Sequence, residues 1–276
     1  MNANLKDVAR DIRCDVIEMI GRLGVGHIGG CLSVVELLAV LYFEAMENID
    51  PKDPKKPGRD RFVCSKGHAG PTVYAALAKK GYFERERLWT LNQGGTKLPS
   101  HCNMVLTPGI DMTTGSLGQG FSCAVGAALG AKLARDGARV YTLVGDGECQ
   151  EGQIWEAAMF AAAKKLDNLI GFVDANRLQI DGTVEEVNRV EPLTDKWAAF
   201  GWRVIDVPRG NDVEAVSAAV KQAQANLGSG QPTMVILRTV KGCGMKWAED
   251  LGAANHNTAV PKEEAEAALR ALREEA

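Results

Sequence analysis

The 276-residue chain has no Cys-x-x-Cys pair, no Gly-x-Gly-x-x-Gly after a first strand and no Gly-x-x-x-x-Gly-Lys-Ser/Thr. The first absence argues against a zinc site. The other two argue against a nucleotide-binding doubly wound domain. Long hydrophobic runs are also missing. The longest small-apolar stretch, Gly120 to Ala134, is broken by three glycines and a lysine. It falls short of the roughly 20 apolar residues a membrane span needs, so no membrane association is expected. With a net charge of −3 and no basic patch, nucleic acid is not an expected partner. Met1 to Arg13 is charged and carries no apolar signal segment, so the expected compartment is the cytoplasm. The seven cysteines are scattered and odd in number, which reads as reduced thiols acting mostly as small buried hydrophobes.

What is present is a core. Hydrophobic residues make up 46% of the chain, enough for one large domain or two small ones. Residues 3–22 and 33–46 read as amphipathic helices, the second with Ser33 as N-cap and Glu36 completing a capping box. Residues 61–65 form a short strand, with a helix starting near His68 to Pro71 and another over 84–91. Gly94 to Thr113 is long and lacks periodicity, which in a compact domain usually signals function. A small-residue helix follows over 117–135. Strand 139–145, helix 151–166 and strand 169–175 form a right-handed parallel βαβ unit. Asn176 to Val190 reads as irregular. Helices at 193–200 and 212–227 alternate with strands at 202–207 and 233–240. Residues 241–260 read as irregular, and a polar helix starts at Pro261. This alternation predicts an α/β fold, a doubly wound and mostly parallel sheet with helices on both faces.

Gly145-Asp146-Gly147 closes one apolar run, and Asn176 closes the next after 28 intervening residues. Two strands that each deliver an oxygen ligand at their carboxyl ends suit a hard cation, with glycines that let backbone approach a phosphate. The alternative is that Asp146 and Asn176 serve as caps and turn formers. Ligands of such sheets sit beyond the carboxyl ends of the strands. Ser65-Lys66-Gly67-His68 falls there too, so three strand ends point at one crevice.

All four histidines, His27, His68, His101 and His256, lie in glycine-flanked or irregular segments rather than on apolar helical faces. Imidazoles there can donate, accept or shuttle protons near neutral pH. Thr113 to Gly120 precedes a helix, and two readings stand for it: a phosphate cradle at the helix start, or close helix–sheet packing. Glu151 and Glu156 open the helix after the Gly-Asp-Gly turn. Both complement the helix dipole, and Glu151 alternatively faces a partner's carboxylate.

In combination and in this order, Gly26-His27-Ile28-Gly29-Gly30, Ser65-Lys66-Gly67-His68-Ala69, Thr114-Gly115-Ser116-Leu117-Gly118-Gln119-Gly120, the Gly145 to Gly152 stretch, Asn176, Lys241-Gly242-Cys243-Gly244 and His256 resemble the N-terminal, diphosphate-binding half of thiamine-diphosphate-dependent transketolases. The resemblance covers essentially the whole chain. It implies that residues 1–276 form a single thiamine-diphosphate-binding domain of the diphosphate type, with 261–276 a C-terminal polar helix. It implies a divalent cation, Mg2+ or else Ca2+ or Mn2+, held by Asp146, Asn176 and the Leu178 carbonyl. The implied cofactor-binding set is His68, Gly115, Ser116, Leu117, Gly118, Asp146, Gly147, Glu148, Asn176, Leu178 and His256. The implied catalytic set is His27, His68, His101, His256 and Glu151, the last at a subunit interface with Glu156 nearby.

A full-length transketolase is more than twice this length and carries a second, pyrimidine-binding domain with the activating glutamate. The resemblance therefore implies one subunit of a split transketolase that moves a two-carbon ketol unit between sugar phosphates. Its expected partner is a separate C-terminal subunit, in a heterotetramer. Two segments depart from the family pattern: Ile28 stands where a proline is usual, and Met245 to Asn257 differs visibly. Two other readings share the fold: the α subunit of a 2-oxoacid dehydrogenase's decarboxylating component, and a non-catalytic homologue.

Overall fold

The computed structural model describes residues 4–274; residues 3, 275 and 276, at the outer ends of the expected first and last helices, lie outside the described residues. Five parallel strands form the central sheet: β1 Arg61–Cys64, β2 Val140–Gly145, β3 Leu169–Ala175, β4 Arg203–Val207 and β5 Thr233–Arg238, in the order β1-β2-β3-β5-β4. The helices that build the layers around it include α1 Leu5–Leu23, α2 Ile28–Leu32, α3 Val35–Val40, α4 Gly70–Lys80, α5 Gln119–Ala134, α6 Gly152–Ala163, α7 Leu193–Ala199, α8 Val213–Gln224 and α9 Lys262–Glu274.

The strands are apolar on both faces because both faces are covered. Phe62, Cys64, Tyr141, Leu143, Ile170, Phe172, Val235 and Leu237 enter one core together with α1 to α4, α8 and α9. Their neighbours Val63, Val140, Val144, Val173, Met234 and Ile236 enter a second core with α5, α6 and α7. The period-2 alternation of a strand thus divides the sheet's side chains between two layers.

Three expectations need correction. Ser33 caps no helix N-terminus. It ends α2, and its hydroxyl donates to the Gly30 carbonyl at 3.2 Å and to Asp174 at 2.6 Å. Glu36 instead accepts from the Arg13 guanidinium at 2.5 Å, and Leu41–Ala45 closes this region as a π-helical turn. The 176–190 loop contains a hairpin, Leu178–Gln179 with Gly182–Thr183, and a helix Val184–Asn188 that carries the real capping box, Thr183 and Glu186. The 241–260 stretch contains a helix, Lys246–Asp250, and a strand, Thr258–Ala259, paired antiparallel with Val25–Gly26. The polar terminal helix, α9, has an apolar stripe, Ala265, Leu269 and Leu272, buried in the first core. These three sit at i, i+4 and i+7, one face of a helix.

Candidate functional site

Because β1, β2 and β3 are adjacent, the segments leaving their carboxyl ends meet. Lys66, His68, Asp146, Gly147, Asn176 and Leu178 line one cavity of about 290 Å³. His27, His101 and His256 arrive from elsewhere and complete its wall. Glycines make this assembly sterically feasible. A Cβ at Gly29 would lie 2.0 Å from Asn255 Oδ1, and one at Gly30 would lie 3.0 Å from the His68 ring. The paired glycines after His27 therefore admit two side chains of the site region.

The four imidazoles form a cluster. The His27 ring centroid lies 5.6 Å from His68, 5.4 Å from His101 and 5.6 Å from His256, and His68 lies 5.0 Å from His256. His101 is fixed from behind by Tyr74, whose hydroxyl donates to the Pro99 and His101 carbonyls at 2.8 and 3.0 Å. Burial, then the charge on neighbouring His101, Lys241 and Lys66, brings the His27 pKa down to about 4. Burial and Lys241 bring His256 down to about 3. His68 is lowered by burial and Lys66, and His101 by burial. At neutral pH the cluster is uncharged, so each ring carries one donor and one acceptor nitrogen, with Nδ1 of His256 and of His101 already meeting Lys241 and Ser100 at 3.1 Å.

Two lysines that the sequence reading did not single out enter the same cavity. Lys66 is sealed from solvent and paired with Asp174, and it also donates to the Gly30 carbonyl at 3.0 Å. Lys241 approaches His256 Nδ1 at 3.1 Å and the Leu178 carbonyl at 3.4 Å. Burial and Lys66 lower the Lys241 pKa to about 8, so it keeps most of its charge near neutrality. The signal for Lys66 was available: a lysine directly following a buried strand has to find a counter-charge. Asp174, the acid inside the apolar run of β3, was the matching clue.

Asp146 Oδ1 accepts from the Gly147 amide at 2.8 Å, and Oδ2 accepts from the Arg177 amide at 2.5 Å. Burial, then the Asp174 charge, raises its pKa to about 7. Asn176 Oδ1 accepts from the Leu178 amide at 3.0 Å, while its nitrogen donates to Asp174 at 2.8 Å. A carboxylate, an amide oxygen and a main-chain carbonyl therefore share one wall. These are oxygen donors of the kind a hard cation takes, and burial together with the Asp174 charge disfavours the ionised form of the carboxylate without a counter-charge. The glycine-bare surface at Gly30, Gly115 and Gly147 with two ammonium groups is equally suited to an anionic ligand.

The remaining expected residues divide. Gly115 and Leu117 line the cavity, whereas Ser116 and Gly118 are outside its lining. The Gly118 amide is used internally, donating to Glu148 at 2.8 Å. Glu148 borders the cavity, but its buried carboxylate also accepts from Ser65 Oγ at 2.5 Å and the Gly145 amide at 3.0 Å. It joins three loops, a role the sequence did not disclose. Gly120 is close packing: a Cβ there would lie 2.7 Å from the Ser65 Cα. Glu151 lines the cavity mouth, exposed and without a capping hydrogen bond. Glu156 lies farther along α6, in a groove with Ser122, Gln153 and Phe160.

The fold and cavity define an α/β domain that gathers cation donors, ammonium groups and imidazoles at the carboxyl ends of adjacent parallel strands. Residues 4–273 match the transketolase, thiamine diphosphate binding domain family. The chain belongs to the transketolase family. It is similar to the 6-deoxy-6-sulfo-D-fructose transketolase subunit SqwG of Clostridium sp. (strain MSTE9), at 53% identity over 99% of this chain and 97% of that one. It is also similar to an apulose-4-phosphate transketolase subunit of Phocaeicola vulgatus, at 39% identity over 91% and 88%. Human transketolase is 38% identical over 97% of this chain, which spans only 42% of that protein. Among solved structures, a transketolase variant from Pichia stipitis superposes with a TM-score of 0.89 at 31% identity, over 97% of this chain and 40% of that one.

Among the described residues, no helix is long and apolar enough to cross a membrane.

Proposed function

We propose that this chain is the N-terminal, cofactor-binding subunit of a split transketolase. Residues 1–276 act as one thiamine-diphosphate-binding domain in the cytoplasm, paired with a separate C-terminal subunit in a heterotetramer. The observation that carries the reading is the convergence of four neutral imidazoles, two ammonium groups and a hard-cation donor set on one cavity. The two relatives named as subunits, matched over most of their length, support the division of the enzyme into two chains.

Asp146, Asn176 and the Leu178 carbonyl would hold the cation, Mg2+ or a Ca2+ or Mn2+ equivalent. Lys66 and Lys241 would neutralise the diphosphate, with Gly115, Leu117, Gly147, His68 and His256 at its surface. Ser116, Gly118 and Glu148 would shape the loop behind it. Bound thiamine diphosphate supplies the electron sink for breaking and making a carbon–carbon bond. His27, His68, His101 and His256, uncharged at neutral pH, donate hydrogen bonds to the sugar hydroxyls and carbonyl and accept protons from them. Glu151 meets the partner at the cavity mouth. The reaction is transfer of a two-carbon ketol unit from a ketose to an aldose phosphate.

The donor ketose would carry an anionic far end. The sulfonated ketose named for the Clostridium relative, 6-deoxy-6-sulfo-D-fructose, is the first to test, followed by apulose 4-phosphate and xylulose 5-phosphate. With glyceraldehyde 3-phosphate or ribose 5-phosphate as acceptor, the reconstituted pair should use one of these donors at least tenfold better than the others. Equal rates on all three would remove the donor assignment. Loss of turnover when thiamine diphosphate or Mg2+ is omitted is expected throughout.

A further inference from the structure

We propose that α9 is a positioning element for the cavity: its docking on α1 sets the separation of His27 and His256 through a two-stranded ribbon. The chain leaves α1 at Gly24 and runs Val25–Gly26 into His27. It leaves His256 through Thr258–Ala259 and enters α9 after Pro261. The two short strands pair antiparallel, Val25 with Ala259 and Gly26 with Thr258. The Val260 amide donates to the Gly24 carbonyl at 2.9 Å, closing the ribbon at its helical end. At the other end His27 and His256 emerge from opposite arms, with ring centroids 5.6 Å apart.

The helical end is held tightly. At Gly21, near the end of α1, a Cβ would lie 2.7 Å from the Ala265 Cβ of α9. Ala265, Leu269 and Leu272 are buried in the same core as Ile12, Val16 and Ile20 of α1. Gly24 takes a left-handed conformation with φ of 80°, and a Cβ at Gly26 would lie 3.1 Å from Ile20, so the ribbon leaves the helix at a fixed angle. Helices in contact have discrete packings rather than a continuum. Displacing α9 therefore moves the His256 arm relative to the His27 arm. Neither helix lines the cavity, and the ribbon is the covalent path from α9 to it. The inference rests on the reading of the histidine cluster as the reactive site.

The contact can be exchanged. Gly21→Ala drives a methyl into Ala265, Ala265→Gly removes the contacting methyl, and the double variant restores one methyl between the helices. Leu269→Ala loosens α9 without altering α1 and serves if Gly21→Ala does not fold. In the full chain with 15N-labelled histidine, the His27 and His256 ring resonances should shift in Gly21→Ala and Leu269→Ala and return in the double variant. Those of His101, whose backbone carbonyl is anchored separately by Tyr74, should shift less. In the reconstituted enzyme, kcat should fall roughly tenfold or more, with thiamine diphosphate affinity changed less than twofold. Unmoved His27 and His256 resonances in every folded variant would overturn the proposal. Shifted resonances with unaltered turnover would sustain the clamp and count instead against the histidine pair as reacting groups.

Discussion

Lys66 and Asp174 form an ion pair at 2.5 Å directly beneath the cavity, and neither side chain reaches solvent. Asp174 further accepts from Ser33, Asn176 and Thr239, so its carboxylate joins β3, the α2–α3 corner and the segment after β5. Burial alone would lower the Lys66 pKa and raise that of Asp174. Their mutual attraction more than offsets it, holding Lys66 above and Asp174 below their ordinary values. The pair lies beneath Asn176, whose side-chain nitrogen donates to Asp174 at 2.8 Å.

Removing one member leaves a buried charge without its partner. Lys66→Met should lower stability by about 3–5 kcal/mol, the range for breaking buried pairs. Urea unfolding of the isolated chain measures it. A variant as stable as the parent would mean that Asp174 is satisfied by its hydroxyl and amide donors alone.

Asp146 is the only carboxylate among the three proposed cation donors. Asp146→Ala should weaken thiamine diphosphate binding in Mg2+ beyond the roughly 10–100-fold typical of losing an outer-shell partner. Isothermal titration calorimetry gives the number. Unchanged affinity would defeat the cation assignment.

The histidine cluster predicts how stability depends on pH. The folded pKa values, about 4 for His27 and about 3 for His256, lie below the ordinary 6.5. Between pH 6.5 and those values the unfolded chain binds more protons than the folded one. The stabilisation is therefore present above pH 6.5 and is lost as pH falls through the window. Melting temperature should drop steadily from pH 6.5 toward 4, and less so in a His27→Gln, His256→Gln double variant. Parallel curves for parent and variant would show that acid sensitivity lies in other groups.

His101 packs edge-on against His27 in the cluster, with ring centroids 5.4 Å apart. His101→Ala should reduce kcat roughly 100-fold or more, the scale of general acid–base assistance, while changing cofactor affinity little. A variant that loses affinity but keeps turnover would move His101 to the cofactor.

The sheet and its order of helices were legible because both rest on local signals: apolar runs of strand length and helices with periodic apolar faces. The convergence of Ser65 to His68, Gly145 to Gly147 and Asn176 was legible because parallel strands place their carboxyl ends together. Ser33 misled because a Ser-x-x-Glu pattern carries no information about tertiary partners. Its hydroxyl is drawn to Asp174, 141 residues away. The 176–190 and 241–260 segments hid short elements too brief to show a period. The Lys66–Asp174 pair and the Asn255 fit against Gly29 join residues more than 100 positions apart. No window along the sequence contains them. Glu148 borders the cavity as the Gly-Asp-Gly turn suggests, and its contacts to Ser65, Gly118 and Gly145 were not legible in that turn.

The measurement that bears most directly on the central claim is ketol transfer by this chain alone and by this chain mixed with a C-terminal transketolase subunit. Thiamine diphosphate and Mg2+ would be supplied throughout. The account predicts turnover in the mixture only, abolished by Asp146→Ala. Turnover by this chain alone, or a stable mixed complex inactive on every ketose donor tried, would contradict it.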